Sequence, residues 1–162
     1  MKLTKRSAYI FLTILITIVI DQISKVIVRK YVDSKEVIHV IGEYFSLHNV
    51  ENKGAFLGMG SELNPTLRIV LLLILPIIVL GYILRYILKD KSLDNWSLFA
   101  FASIIGGGIA NVFDRVVFGS VTDFFYIRIT DLLRTGIFNM ADLSVTTGMI
   151  ILVIASFKKK KS

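Results

Sequence analysis

Four long apolar segments constrain this chain more than any other feature of its sequence. They cover residues 8–28, 66–88, 96–113 and 138–157, and each has the roughly 20 residues that a helix needs to cross a bilayer. In lipid, every backbone N–H and C=O must find its partner within the protein, so such segments are expected to be helices. The sequence therefore predicts an all-α membrane protein with four transmembrane helices, forming one domain over residues 1–162.

The composition agrees with a membrane domain, since 54% of the residues are hydrophobic, 19% are charged and the mean hydropathy is +0.71. The net charge of +7 comes from lysines and arginines clustered at segment ends, which does not indicate a nucleic-acid partner. The absence of cysteine excludes a thiol nucleophile and cysteine metal ligands. His39 and His48 lack the spacing of a metal motif, so no metal is expected.

The basic residues also predict the orientation of the chain. Ten of the nineteen lysines and arginines lie in three short stretches, at the two ends and between the second and third segments. The positive-inside rule then places both termini in the cytoplasm. The longer connections, 29–65 and 114–137, would lie on the outer face. Both contain β-branched, strand-like runs, the second with two around a turn at Phe118–Ser120, so we expect a small β-structured cap there.

Polar residues gather at the outer ends of the predicted spans. Lipid gives such groups nothing to bond, so each one calls for a functional explanation. Their convergence on one face is the strongest functional signal in the sequence. The group consists of Asp21, Lys25, Asn111, Asp114, Arg115, Asp123, Asn139 and Asp142.

Several of these residues have more than one interpretation. Asp21 and Lys25 are four residues apart, which favours a structural ion pair over a catalytic role. Gly106–Gly108 favours close helix packing, and it could also leave room for a substrate. Asp114 and Arg115 are either an end-of-helix pair or, for the planar fork of Arg115, a binding site for phosphate or a peptide carbonyl.

Two asparagines are neutral donors and acceptors that could hold an extended peptide. The alternative for Asn52 is a turn, because glycine follows two residues later. The alternative for Asn111 is a helix cap. For each asparagine, the sequence leaves both peptide binding and the alternative open.

Asp123 and Asp142 lie in apolar surroundings. The simplest interpretation is a loop aspartate and a helix N-terminal residue favoured by the helix dipole. However, two carboxylates held close where hydration is poor cannot both ionise easily, so the pair shares a proton and titrates as a unit. An aspartic protease uses this arrangement to activate water and polarise a carbonyl. Asp131, the other candidate in the outer loop, is expected to be solvated.

Five motifs occur in a characteristic order: DQISK (21–25), NKGA (52–55), GGIANVFDR (107–115), VTDF (121–124) and FNMAD (138–142). Together they resemble the bacterial lipoprotein signal peptidases, signal peptidase II. The resemblance covers nearly the whole chain, including the four spans. Members of that family are aspartic endopeptidases of the bacterial cytoplasmic (inner) membrane, which remove the signal peptide of a prolipoprotein just before a diacylglyceryl-modified cysteine.

The resemblance implies roles for individual residues. Asp123 and Asp142 would be the catalytic dyad, at the outer membrane face. The partners implied are lipid-modified prolipoproteins and the bilayer, the protein is expected to be a monomer, and no metal or organic cofactor is implied. The substrate-binding residues would be Asn52, Gly54, Asn111, Arg115 and Asn139, and the structural support Asp21, Lys25 and Asp114.

The sequence departs from the family pattern at two positions. Phe56 stands where a second alanine is common, and Ala110 stands where glycine usually precedes the asparagine. Both changes place a bulkier group near the expected groove. Neither change affects the aspartates.

Two other functions are compatible with intramembrane carboxylates. In a proton-coupled transporter, Asp21, Asp114 and Asp142 would form a relay, although a relay needs polar groups at several depths and the inner halves of the spans are almost entirely apolar. In a structural subunit, the carboxylates would pair with Arg115 and Lys25. That alternative does not explain why the motifs that contain Asp123 and Asp142 have no basic residue to pair with them.

Overall fold

The computed structural model describes residues 4–55 and 58–159, and within them the chain forms four long helices and a small antiparallel sheet. All four helices are long and apolar enough to cross a membrane, which confirms the predicted fold class. They are α1 (Lys5–Tyr31), α2 (Pro65–Lys89), α3 (Asn95–Phe118) and α4 (Met140–Lys159). Helices α1 and α3 extend past the predicted spans, because hydropathy marks the hydrocarbon core while helical hydrogen bonding continues beyond it.

Helix α2 is interrupted by one wide turn. Residues Pro65–Ile69 and Leu75–Lys89 are α-helical, and Val70–Ile74 between them forms a π-helical turn in which the Leu75 N–H donates to the Val70 carbonyl. Pro76 follows directly and has no N–H to donate, so the wider turn absorbs the disruption that proline causes in a helix. No residue in the apolar window of α2 is buried, as expected for a helix that faces lipid.

Side-chain caps set where the helices begin. The side chains of Thr4, Asn64 and Asp94 accept hydrogen bonds from backbone N–H groups in the first turns of α1, α2 and α3. Helix α3 ends at Gly119, which adopts a left-handed conformation with φ of 76°. The boundaries of these helices therefore follow from local sequence.

Helix α3 packs against all three other helices. A Cβ on Gly106 would lie 2.7 Å from an α1 side chain, one on Gly107 would lie 2.5 Å from the Ala141 carbonyl oxygen of α4, and one on Gly108 would lie 2.6 Å from Leu80 of α2. Each glycine of the triplet thus permits close approach of a different helix. The helix-packing interpretation of the triplet is confirmed.

The sheet consists of β1 (Ile38–Ile41), β2 (Phe45–Asn52) and β3 (Val121–Ile127), in the order β1-β2-β3. The strands predicted in the first connection are present. In the second connection, the prediction of a strand from the first of the two strand-like runs is wrong. Residues 116–118 instead continue α3, and Gly119 caps that helix. The run is β-branched, but the helical hydrogen bonds persist until a glycine ends them.

The chain segment before α4 is hydrogen-bonded to β3. The Phe138 carbonyl accepts from the N–H groups of Phe124 and Phe125 at 3.1 and 2.8 Å, and the Phe138 N–H donates to the Phe125 carbonyl at 2.9 Å. This pairing fixes the start of α4 beside β3. It therefore determines which residues of the two elements meet.

Candidate active site

Asp123 of β3 and Asp142 of α4 are joined through Asn139. The Asn139 side-chain amide donates to Asp123 Oδ1 at 2.6 Å, and its backbone N–H donates to Asp142 Oδ2 at 3.2 Å. Its Oδ1 accepts from the Asp142 N–H at 2.9 Å, so the two residues form a reciprocal cap at the start of α4. The structure thus brings both predicted aspartates to one place, and Asp142 occupies the first turn of α4.

Two further amides hold the carboxylates. Asn52 Nδ2 donates to Asp123 Oδ2 at 2.8 Å, and Asn111 Nδ2 donates to Asp142 Oδ1 at 2.9 Å. Among residues 4–55 and 58–159, no lysine or arginine forms an ion pair with either aspartate. The partners of these carboxylates are therefore neutral donors, which orient the oxygens without adding a permanent positive charge.

Asp123 is only 3% exposed. Burial raises the pKa of its carboxyl to about 6; the hydrogen bond from Asn52 opposes this, while the charge of Asp142 adds to it. A carboxyl with this pKa changes its protonation state near neutral pH. Such a group is suited to acid–base chemistry.

The sheet register places Asn52 beside Asp123. Asn52 pairs with Val121, two residues before Asp123 on β3, and diagonal neighbours of this kind lie on the same face of an antiparallel pair. Asn52 Oδ1 also accepts from the Gly54 N–H at 2.8 Å, which is the turn interaction that the sequence suggested. A single side chain therefore forms the turn and holds the carboxylate.

Asn111 does not cap a helix, so that interpretation of the sequence is wrong. It lies inside α3, which continues for about two turns to Phe118. Its Oδ1 accepts from Lys25 Nζ at 2.8 Å and from Asn139 Nδ2 at 3.2 Å. Asn111 therefore connects α1, α3 and α4 beneath the two aspartates.

Lys25 lies at the centre of a fully buried charged cluster. Its Nζ is 2.7 Å from Asp21 Oδ2 and 3.0 Å from Asp114 Oδ2, and all three side chains are 0% exposed. The first of these is the ion pair that the spacing of four predicted. Asp21 Oδ1 also accepts from the Ala141 N–H at 2.8 Å, so the cluster ties α1 and α3 to the start of α4.

Arg115 and Asp114 do not form the end-of-helix pair that the sequence suggested. Asp114 points towards Lys25, whereas Arg115 Nη2 donates to the Gly54 carbonyl at 2.8 Å and Nη1 donates to the Asn111 carbonyl at 3.2 Å. Gly54 is buried, and a Cβ there would lie 2.5 Å from the Gly58 carbonyl oxygen. Arg115 thus binds peptide carbonyls of this chain at the edge of the site.

Comparison with protein families finds a match over most of this chain. The family model "Signal peptidase (SPase) II" matches residues 13–158. The chain belongs to the signal peptidase II family. It is 36% identical to the lipoprotein signal peptidase of Borrelia duttonii over 96% of this chain and 93% of that protein, and 32% identical to that of Pseudomonas syringae pv. tomato over 97% and 90%.

The fold of this signal peptidase II also resembles solved structures. A bacterial membrane enzyme superposes with a TM-score of 0.81 and 27% identity, over 93% of this chain and 88% of that one. A second bacterial membrane enzyme gives a TM-score of 0.79 and 26% identity. As a member of this family with four apolar helices, the protein is a multi-pass membrane protease.

Sequence reasoning missed two polar residues of α1 that complete the charged cluster of this signal peptidase II. Gln22 Nε2 donates to Asp114 Oδ1 at 3.0 Å, and Arg29 Nη2 donates to Asp114 Oδ2 at 3.2 Å. Arg29 lies four residues after Lys25, just as Lys25 lies four residues after Asp21. This spacing is the sequence signal that places Arg29 on the same helix face. Gln22 has no comparable pattern.

Glu51, on the exposed side of β2, was also missed. Its carboxylate accepts from Ser120 Oγ at 2.6 Å and from Thr122 Oγ1 at 2.7 Å, and Arg29 Nε donates to the same Thr122 oxygen at 2.7 Å. These bonds fix the start of β3, directly before Asp123. No sequence signal marks Glu51, because its partners are far away along the chain.

The remaining predictions concern residues at the margins of the site. Asp131 is solvated, as expected, with 84% of its side chain exposed and an ion pair to Arg128. Within the described ranges, no group of three or more histidine, aspartate or glutamate residues could hold a metal ion. Ala110 is fully buried and its carbonyl accepts from Gln22, whereas Phe56 lies outside the described residues.

Proposed function

We propose that this protein is an aspartic endopeptidase that cleaves the signal peptide from diacylglyceryl-modified prolipoproteins, immediately before the lipidated cysteine. The observation that carries the proposal is the pair Asp123 and Asp142, held by amides and without a cationic partner among the described residues. The substrate class is supported by the relatives, which are lipoprotein signal peptidases.

In the proposed reaction, a water molecule lies between the two carboxyl groups, one ionised and one protonated. The ionised group takes a proton from the water, and the oxygen adds to the scissile carbonyl carbon while the protonated group donates a hydrogen bond to the carbonyl oxygen. The tetrahedral intermediate then collapses, the C–N bond breaks, and the amine of the cysteine takes a proton from the dyad. The products are a peptide carboxylic acid, which releases its proton to the solvent, and a free amine, and the dyad again holds one proton.

The other site residues are proposed to position the peptide and the dyad. Arg115 already binds the Gly54 carbonyl, and its planar fork suits a substrate carbonyl equally. The substrate-positioning group consists of Asn52, Gly54, Asn111, Arg115 and Asn139. The buried cluster of Asp21, Lys25 and Asp114 supports it from below.

The depth of the dyad suits a lipid-anchored substrate. Asp142 lies in the first turn of α4, and so close to one membrane surface. The distribution of basic residues supports placing that surface outside, with both termini in the cytoplasm. The lipid chains of the substrate, anchored in the outer leaflet, would bring its cysteine to this depth. The dyad comes from one chain, and we propose that the enzyme acts as a monomer.

The proton-coupled transporter is not favoured. Its relay would use Asp21 and Asp114. Both carboxylates pair with Lys25 in a fully buried cluster. A relay also needs polar groups at several depths, and the inner halves of the spans are almost entirely apolar. The family is also one of peptidases.

The test follows release of the signal peptide from a diacylglyceryl-modified prolipoprotein by the purified protein in detergent. The variants are Asp123→Asn, Asp142→Asn and, as the matched control, Asp131→Asn. Asparagine keeps the size and polarity of the side chain but cannot exchange a proton. We expect the first two to lose turnover by about 10²-fold or more while still binding substrate, and the control to cleave normally.

Full-rate cleavage by either dyad variant would rule out the dyad. If the wild type does not cleave a substrate that carries the complete diacylglyceryl group, the proposed substrate class is wrong. A substrate without the diacylglyceryl group separates the contribution of the lipid from that of the peptide.

A further inference from the structure

A cavity of about 200 Å³ lies between the start of α2 and the end of α3. Its walls combine three basic side chains with apolar side chains of a membrane-spanning helix. Among residues 4–55 and 58–159, no carboxylate lines it. The residues used below are Lys53, Arg68, Arg115, Ile69, Leu72 and Leu73.

The two arginines of the cavity have donors that the described residues do not satisfy. Arg68 is half-buried one turn inside α2, and its guanidinium makes no hydrogen bond or ion pair within residues 4–55 and 58–159. Arg115 Nε is buried and has no hydrogen-bond partner in the same ranges. An unpaired guanidinium such as that of Arg68 is costly at the edge of the bilayer, and an anion would accept hydrogen bonds from it and from the Arg115 Nε–H.

The apolar wall continues the cavity along α2 towards the membrane interior. Ile69, Leu72 and Leu73 follow Arg68 by up to about one and a half turns, and Ile69 is 52% exposed. The cavity is therefore cationic at the level of the first helical turn and apolar below it. A phospholipid has the same order along the membrane normal, with its phosphate at the surface and its acyl chains below it.

We propose that this cavity binds one anionic phospholipid, with its phosphate among the three basic side chains and an acyl chain along the three apolar ones. This inference goes beyond the proposed function, since the diacylglyceryl group of the substrate carries no phosphate. It also stands without the aspartyl mechanism. Because Arg115 contributes to both places, the lipid lies beside the candidate active site.

The cavity at the opposite end of α2 shows why charge balance matters to this inference. That cavity, of about 340 Å³, is also basic, with Arg85 and Lys89, but it contains Asp90 as well. The carboxylate reduces the net positive charge there. The cavity near Arg68 has no such compensation from its lining residues.

The test measures lipid retention by native mass spectrometry. Delipidated protein in a neutral detergent is titrated with phosphatidylglycerol, with phosphatidylcholine or with inorganic phosphate alone. We compare the wild type with Lys53→Gln/Arg68→Gln and with the matched control Lys30→Gln/Lys35→Gln, which removes two exposed charges away from the cavity. Arg68→Lys, which keeps the charge, provides a second variant if the double variant unfolds.

We expect the wild type to retain one phosphatidylglycerol in preference to phosphatidylcholine. The cavity variant should bind it about 30-fold more weakly, because each basic side chain near an anionic lipid contributes about fivefold. The Lys30/Lys35 control and Arg68→Lys should retain most of the preference. Equal loss in the cavity variant and the control, or no preference in the wild type, overturns the proposal. Displacement of the lipid by inorganic phosphate would show a free-anion site and overturn the phospholipid assignment.

Discussion

Two pairs of carboxylates lie close together in this molecule and differ in what neutralises them. Asp21 and Asp114 share the ammonium group of Lys25, and all three side chains are fully buried. Asp123 and Asp142 are instead held by amide and backbone N–H groups. The first pair, the charged cluster, has a cation at its centre, whereas the partners of the second pair, the dyad, among the described residues are neutral donors.

Under the proposed function, the partners of each carboxylate, rather than its residue type, separate the structural pair from the reactive pair. A buried cation stabilises the ionised form strongly. An amide orients the oxygens without adding a permanent positive charge. Asp123 is almost as buried as Asp21 and Asp114, whereas Asp142 is half-buried, so burial alone does not separate the two pairs.

Asn111 connects the two pairs. Its Oδ1 faces Lys25 and its Nδ2 faces Asp142. Because an ammonium group can only donate, Lys25 requires the oxygen of the amide, which turns the amide's N–H groups towards Asp142. The charged cluster therefore sets the orientation of a donor in the dyad.

The largest effect should separate activity from stability. Asp142→Asn is expected to reduce kcat by about 10²–10⁴-fold because the dyad can no longer exchange a proton, while the melting temperature changes little. Cleavage assays and thermal unfolding of the same preparation test this. A melting temperature as low as that of a charged-cluster variant would remove the distinction between the two pairs.

Lys25→Met should show the opposite pattern in stability. It leaves buried Asp21 without its cation and Asp114 with Arg29 alone, and breaking a buried ion pair in this way costs about 3–5 kcal/mol. Unfolding in mixed micelles with increasing SDS measures the loss. The triple variant Asp21→Asn/Lys25→Met/Asp114→Asn removes the three fully buried charges and should recover most of the lost stability. No recovery would mean that packing, rather than charge, causes the loss.

The pH dependence of stability should report the desolvation of Asp123. Burial raises the pKa of Asp123 from 3.8 to about 6, so the unfolded chain releases this proton at lower pH than the folded protein does. Wild-type stability should therefore fall, relative to Asp123→Asn, as the pH rises between those values, by roughly 2–3 kcal/mol.

Unfolding at a series of pH values measures that difference. Asp131→Asn removes an exposed carboxylate and is the matched control for net charge. A difference between the wild type and Asp123→Asn that stays constant across the window would contradict burial as the cause.

Gly107→Ala should produce the smallest effect, about 1–3 kcal/mol of destabilisation from overpacking. The added Cβ would lie 2.5 Å from the Ala141 carbonyl oxygen, so α4 must shift next to Asp142, and activity should fall as well. Gly81→Ala is the matched control, since nothing lies within 4 Å of its Cβ position. Equal stability of the two variants would show that α3 and α4 do not require this close approach.

Local sequence predicted much of the architecture. The apolar segments specified four helices, the spacing of Asp21 and Lys25 specified an ion pair, and the glycine triplet specified close packing. The misassignments concern the ends of elements. Residues 116–118 look like a strand and continue α3, and Asn111 looks like a cap because apolar character fades before the helix ends.

The sequence by itself determined the membrane-spanning helices, because the bilayer forces an apolar segment to satisfy its own hydrogen bonds. It also marked Asp123 and Asp142 as unusual by their apolar neighbours. Only the tertiary structure decided which carboxylates meet a cation and which meet amides. Lys25 reaches Asp114 and Asn52 reaches Asp123 across 89 and 71 positions of sequence, through helix packing and sheet register that no local pattern encodes.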